Sequence, residues 1–145
     1  MIGSQKGRLP VSIAYYVKLY LLTFVAFLAI DGMWLGLVAK NLYRKYLGFL
    51  MTPNTVWAAA ILFYVLYIAG VLVFAVLPGL ESRSPGKAAL LGALLGLIAY
   101  ATYDLTNLAT IKDWPLAVTV IDLVWGTAVS AAVASIGYLI GRWLA

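Results

Sequence analysis

Three aspartates, Asp31, Asp104 and Asp122, stand inside stretches otherwise made of Leu, Ile, Val, Ala and aromatic residues. A carboxylate at hydrocarbon depth costs roughly 2.5–3.5 kcal/mol on insertion scales, so such a residue turns to a protein interior or a watery cavity and has a partner there. Asp104 belongs to the run from Tyr100 to Thr110, in which Tyr100, Tyr103, Asp104 and Asn107 recur at i, i+3, i+4 and i+7. On a helix that spacing makes one polar stripe. Asp31 and Asp122 each carry a tryptophan three residues on, Trp34 and Trp125. At i, i+3 each indole shares a face with its acid, so both can line one interior space.

The chemistry open to these groups is narrow. The chain has no cysteine and no histidine. Thiolate chemistry, disulfides and a near-neutral imidazole base are therefore excluded, as is any imidazole ligand for haem iron, chlorophyll magnesium or zinc. No lysine or arginine falls at the depth of the acids, so the candidate hydrogen-bond donors are Tyr64, Tyr67, Tyr100, Tyr103, Thr106 and Asn107. At least one of three acids so placed is expected to carry its proton at neutral pH. Groups of this kind bind cations, carry protons or act as acids in catalysis. The structural alternative is that they tie helices together by hydrogen bonds of ~0.6–2 kcal/mol each.

The elements that must position them are membrane spans. Of 145 residues, 65% are hydrophobic and 10% charged, and the mean hydropathy is +1.01. A helix needs about 20 apolar residues to cross a bilayer, which leaves room for four spans and short loops in one all-α antiparallel bundle. The spans are expected at about 11–39, 55–77, 87–110 and 116–140. The first is too long for the apolar part of a cleaved signal peptide, despite Lys6 and Arg8 ahead of it. Gly32 and Gly36, and again Gly92 and Gly96, are small residues four apart that permit close helix approach. Residues 40–54 mix Lys40, Arg44 and Lys45 with Tyr43, Tyr46 and Phe49, which reads as an amphipathic interfacial segment or a plain loop. Pro78-Gly79 is expected to end span two, and Pro115 suits the first turn of span four.

Topology then brings the acids to one level. Asp31 lies nine residues before Lys40, Asp104 eight before Lys112, and Asp122 nine after Asp113 on a helix running the other way. At ~1.5 Å per residue each is roughly 12–14 Å from the same membrane face. The expected ligand-binding set is Asp31, Trp34, Tyr64, Tyr67, Tyr100, Tyr103, Asp104, Asn107, Asp122 and Trp125.

Asp31-Gly-Met-Trp-Leu-Gly, Tyr43-Arg-Lys-Tyr-Leu-Gly-Phe-Leu, Phe74-Ala-Val-Leu-Pro, Tyr103-Asp-Leu-Thr-Asn-Leu-Ala-Thr and Trp114-Pro with Asp122-Leu-Val-Trp-Gly also carry a family likeness. Through them the chain resembles the bacterial family of small predicted four-span membrane proteins classed as a domain of unknown function. The resemblance covers nearly the whole chain. It implies a bacterial inner-membrane protein and supplies no activity, substrate or catalytic residue.

Charge gives orientation. With four spans, Lys6, Arg8, Lys18, Arg83, Lys87 and Arg142 share one side, and Lys40, Arg44, Lys45 and Lys112 the other. Six against four favours both termini in the cytoplasm and the acids toward the periplasm. The net charge of +5 sits at segment ends, a membrane-orientation pattern that gives nucleic acid no role. Three functions fit the residues. The first is binding or transport of a small cationic or amphipathic molecule in an Asp/Tyr/Trp pocket, with dimerisation needed for a full pathway. The second is an accessory subunit docked on a larger membrane complex. The third is an enzyme acting on a lipid or isoprenoid with a protonated Asp as general acid, or with Asp-bound Mg²⁺ or Mn²⁺. The cofactor is otherwise unknown.

Overall fold

A computed structural model describes residues 12–145. Lys6, Arg8 and the expected start of span one at Val11 lie outside the described residues. The first helix, α1 (Ile13–Met33), buries Tyr15, Leu19, Thr23, Phe27 and Asp31, every fourth residue, so its inward stripe ends on an acid. A π turn at Trp34–Val38 follows, and the chain continues as α2 (Ala39–Leu47). One helical rod, Ile13–Leu47, thus extends well past the expected span end at Ala39. Residues 40–47 contain neither Gly nor Pro, so nothing stops the helix before Gly48. The helical part of this segment, to Leu47, is amphipathic: Lys40, Arg44 and Lys45 are exposed, Ala39 is buried, and Tyr43 and Leu47 are half-buried.

The second rod comprises α3 (Trp57–Val71), a π turn at Leu72–Val76 and α4 (Leu77–Glu81). Pro78 does not end it. A proline inside a helix lacks the N–H for its ladder and crowds the carbonyl four residues back, and the wider turn just ahead of Pro78 takes up that crowding. The stop comes at Ser82–Ser84. There Ser84 N–H bonds Gly79 O at 2.9 Å and Arg83 N–H bonds Leu80 O at 3.1 Å, with Arg83 at φ 51°. These paired bonds close a helix C-terminus through a left-handed residue. Ser84 then caps α5 (Pro85–Thr110) by accepting from Lys87 N–H at 3.1 Å, with Pro85 in the first turn. A tight turn with Asp113 at φ 60° leads into α6 (Leu116–Leu144).

α5 and α6 form the closest pair. A methyl on Gly92 would fall 2.6 Å from the Ser130 carbonyl oxygen, and one on Gly96 would run into the backbone of Gly126 and the side chain of Ser130. Gly92 and Gly96 therefore let the backbones approach, as their spacing predicts. Gly32 and Gly36 do not repeat this, because nothing lies within 4 Å of where their Cβ would stand.

The apolar core occupies one half of the bundle. Tyr15, Leu19 and Phe27 of α1 meet Ile68, Val71, Ala75 and Val76 of the second rod and Val129, Val133 and Tyr138 of α6. The first half of α3 stands away from this core and leaves Trp57, Ile61, Leu62, Phe63 and Leu66 exposed. Exposed apolar side chains on every rod belong in contact with lipid. All four rods are long and apolar enough to cross a membrane. The protein is an all-helical four-span membrane protein, packed at one end and parted at the other.

Candidate functional site

The parted end holds a cleft of about 390 Å³ lined by Asp31, Trp34, Leu35, Tyr43, Leu47, Met51, Ala60, Phe63, Tyr64, Tyr100, Tyr103, Asp122 and Trp125. An adjoining hollow of about 370 Å³ shares Phe63, Tyr100, Tyr103 and Asp122 with it and adds Ala99. The walls are mainly apolar and aromatic, and the acids are set among them.

Its floor is built by the two Asp-x-x-Trp segments. Because the first rod and α6 both contribute an acid and an indole, the tryptophans meet: Trp34 and Trp125 stack with centroids 4.2 Å apart and planes 8° from parallel. The indole N–H groups are placed differently. Trp125 Nε1 is buried beside the Asp31 carboxyl without the geometry of a hydrogen bond. Trp34 Nε1 donates to Tyr43 Oη at 3.5 Å, and Tyr43 Oη donates to Asp122. Asp31 in turn accepts from Tyr64 Oη at 3.0 Å. Each lining acid thus takes a phenol from a helix other than its own.

Tyr43 reaches Asp122 because of the π turn. Twelve residues of regular helix would put Tyr43 about 120° around the rod from Asp31. One extra residue accommodated in a wide turn brings that offset to about 20°, onto the acid-bearing face. Tyr100 is placed by a glycine: its ring lies where a side chain at position 126 would be, and Cδ1 is 2.8 Å from an ideal Gly126 Cβ. Tyr103 stands edge-on to Trp114 at 5.7 Å and is more than half exposed at the rim.

Asp104 lies behind this surface. It is 0% exposed, and neither carboxyl oxygen has a hydrogen-bond donor from another residue type. The group beside it is the Asp122 carboxyl, at hydrogen-bonding range once one of the two carries a proton. Among the described residues, the groups acting on the three acids are phenols, indoles and one another, with no basic side chain among them.

Of the residues singled out by sequence, Asp31, Trp34, Tyr64, Tyr100, Tyr103, Asp122 and Trp125 line the cleft. Three others sit elsewhere. Tyr67 is buried deeper and bonds Ser130, Asp104 backs onto Asp122, and Asn107 stands half-exposed beside the Tyr103 hydroxyl. Sequence reasoning missed Tyr43. Its signal was the i, i+4, i+8 recurrence of Ala39, Tyr43 and Leu47 against three basic residues, which marks an inward face on the connection. It also passed over Phe63 and Met51, which have no polar label. Among the described residues no group of three or more potential metal ligands lies close enough to hold an ion.

The arrangement sets two carboxyl groups, Asp31 and Asp122, among aromatic rings, the kind of lining whose charge and ring faces attract cations in general. No curated protein and no solved structure matches the chain. A family model described as a predicted membrane protein matches residues 16–139, from the first turn of α1 to near the end of α6, and so takes in every residue of the cleft. The chain belongs to that family, DUF2177.

Proposed function

We propose that the protein binds a small molecule with a cationic head and an apolar body, and that the cleft receives it from the membrane. The observation that carries this is the lining itself: Asp31 and Asp122 open onto one cavity whose walls are the stacked Trp34 and Trp125, four tyrosines and Phe63. A cation replaces the missing basic partner of the acids, and the aromatic faces favour it further by roughly 0.5–2 kcal/mol per contact. An apolar body suits Phe63, Leu47 and Met51, the apolar part of the lining. Below the cleft, Phe27, Ile68, Val71 and Val133 are closed against one another. A single copy in this arrangement binds from one side, and passage across the membrane would need a second conformation or a second copy. The family resemblance supports an inner-membrane location, and the charge bias of the loops supports both termini in the cytoplasm and the cleft toward the periplasm.

The test is thermal unfolding of the purified protein in detergent with benzyltrimethylammonium and with neopentylbenzene, its neutral carbon isostere. A ligand at one hundred times its Kd stabilises by about 2.7 kcal/mol. The ammonium should raise Tm, the isostere should not, and Asp122→Asn should abolish the difference. Equal stabilisation by both compounds, or by neither, would sink the reading.

A further inference from the structure

The mechanism of charge binding just proposed leaves Asp104 without a use, and its surroundings suggest one. This carboxyl is wholly enclosed, has no N–H or phenol donor, and lies against Asp122. An ionised carboxylate left there would be an unpaired buried charge beside another of the same sign, the arrangement that proteins avoid by keeping a proton. The pair is also asymmetric. Asp122 opens on the cleft and accepts from Tyr43, whereas Asp104 does neither. The groups that face the pair are Tyr43 from α2 and Tyr100 and Tyr103 from α5, with Asp31 of α1 and its partner Tyr64 of α3 across the cleft. All are acids or phenols. No basic group among them can balance a second negative charge, so an arriving cation is what would balance it.

We infer that Asp104 and Asp122 share one proton while the cleft is empty, and that a cation entering the cleft displaces it. The inference rests on the cleft being a cation site and adds what leaves when the cation arrives. In the empty protein Asp104 is the acid and donates its O–H to the Asp122 carboxylate. When the cation approaches, that O–H bond breaks and the proton passes to Asp122. From there it goes to water at the cleft mouth, since Asp122 is the member of the pair that touches the cleft. Both carboxylates are then ionised against one bound positive charge, and one proton has been exchanged for one cation. Asp104 is thus a positioning and proton-holding residue that does not contact the ligand.

A quaternary ammonium probe tests this cleanly, because it has no proton of its own to lose. Benzyltrimethylammonium is titrated into the full chain in weakly buffered detergent solution with a pH indicator, and its Kd is followed by tryptophan fluorescence across a pH series. The expected result is about one proton released per cation bound, with affinity rising up to tenfold per pH unit through the window of release. Asp104→Asn should release none and flatten the pH profile. An infrared difference spectrum of the unsubstituted protein should also show the carbonyl band of a protonated carboxyl lost on binding, a readout that needs no variant. Saturable binding with no proton released, no pH slope and no such band change overturns the exchange while leaving the cleft a cation site. Absence of any binding overturns both.

Discussion

Tyr43 shows how much one hydroxyl decides at this site. It takes a hydrogen bond from the Trp34 indole and gives one to Asp122, so it joins the first rod to α6 and orients the acid that opens on the cleft. Tyr43→Phe keeps the ring and removes both bonds. A hydrogen bond to a charged group contributes about 1.5–3 kcal/mol in soluble proteins, and interhelical bonds in membranes contribute less, ~0.6–2. Unfolding of Tyr43→Phe in detergent should therefore show a loss of about 1–2 kcal/mol, while Tyr46→Phe on the same helix should change little. An unchanged Tyr43→Phe would mean that Asp122 is held by other groups.

The tryptophans are a second residue-scale case. Their Asp-x-x-Trp spacing put each indole on the face of its own acid, and that much was legible in the sequence. That Trp34 would lie flat on Trp125, and that Trp34 would reach Asp122 only through Tyr43, was not. Spacing fixes the angle of a side chain on its own helix; the partner depends on how two helices are rotated against each other. Asp104 was legible as an intramembrane acid for the same reason. Its retreat behind Asp122 depends on the closeness of α5 to α6.

Among elements, the α5–α6 pair does most to set the site. Gly92 and Gly96 bring α5 against Ser130 and Gly126, and Gly126 makes room for the Tyr100 ring. The same close approach puts Asp104 against Asp122. Gly96→Val would force two backbones apart along the seam that carries both acids. Overpacking a well-packed seam costs typically 1–3 kcal/mol, occasionally more. The expected outcome is a detergent-solubilised variant that unfolds at a clearly lower temperature. Gly32→Val, on a glycine with an open neighbourhood, should be close to neutral. Equal loss in both would show that the two glycine pairs pack alike in the membrane.

The two π turns are the elements that sequence reading could not supply. Trp34–Val38 carries no proline and only the lone Gly36 as a break, yet it rotates α2 so that Tyr43 faces the acids. Leu72–Val76 is followed by a signal, Pro78, but one that more often marks a helix end than a wide turn within a helix. Local propensity distinguishes poorly between stopping a helix and widening it. The choice falls to the packing of Val71, Ala75 and Val76 against the rest of the bundle, where unwinding would leave backbone groups without partners in a nonpolar surrounding.

At the scale of the molecule, the division into a packed half and a parted half is what makes a cleft possible. The second rod is held by its later half, from Tyr67 to Leu80, while its earlier half leans on little but Tyr64. The absence of native cysteine makes this division directly measurable. Met51→Cys, at the cleft mouth, should react within minutes with a membrane-impermeant maleimide added to spheroplasts, and binding of a cation in the cleft should slow it. Leu19→Cys, in the closed half, should stay unlabelled. Labelling of Met51→Cys only after the inner membrane is broken would reverse the proposed orientation.

The sequence by itself determined the solvent, the number of helices and the level of the acids. Those follow from runs of apolar residues, from where charges interrupt them, and from a constant rise per residue. Each of these is a property of one helix at a time. Only the tertiary structure decided which acid meets which, that Tyr43 belongs to the site, and that the space beside α3 stays open. Those depend on the rotation and spacing of helices against one another, set by glycines that admit a neighbour and by wide turns that reset a face. Side chains on separate helices become partners only after that packing is in place.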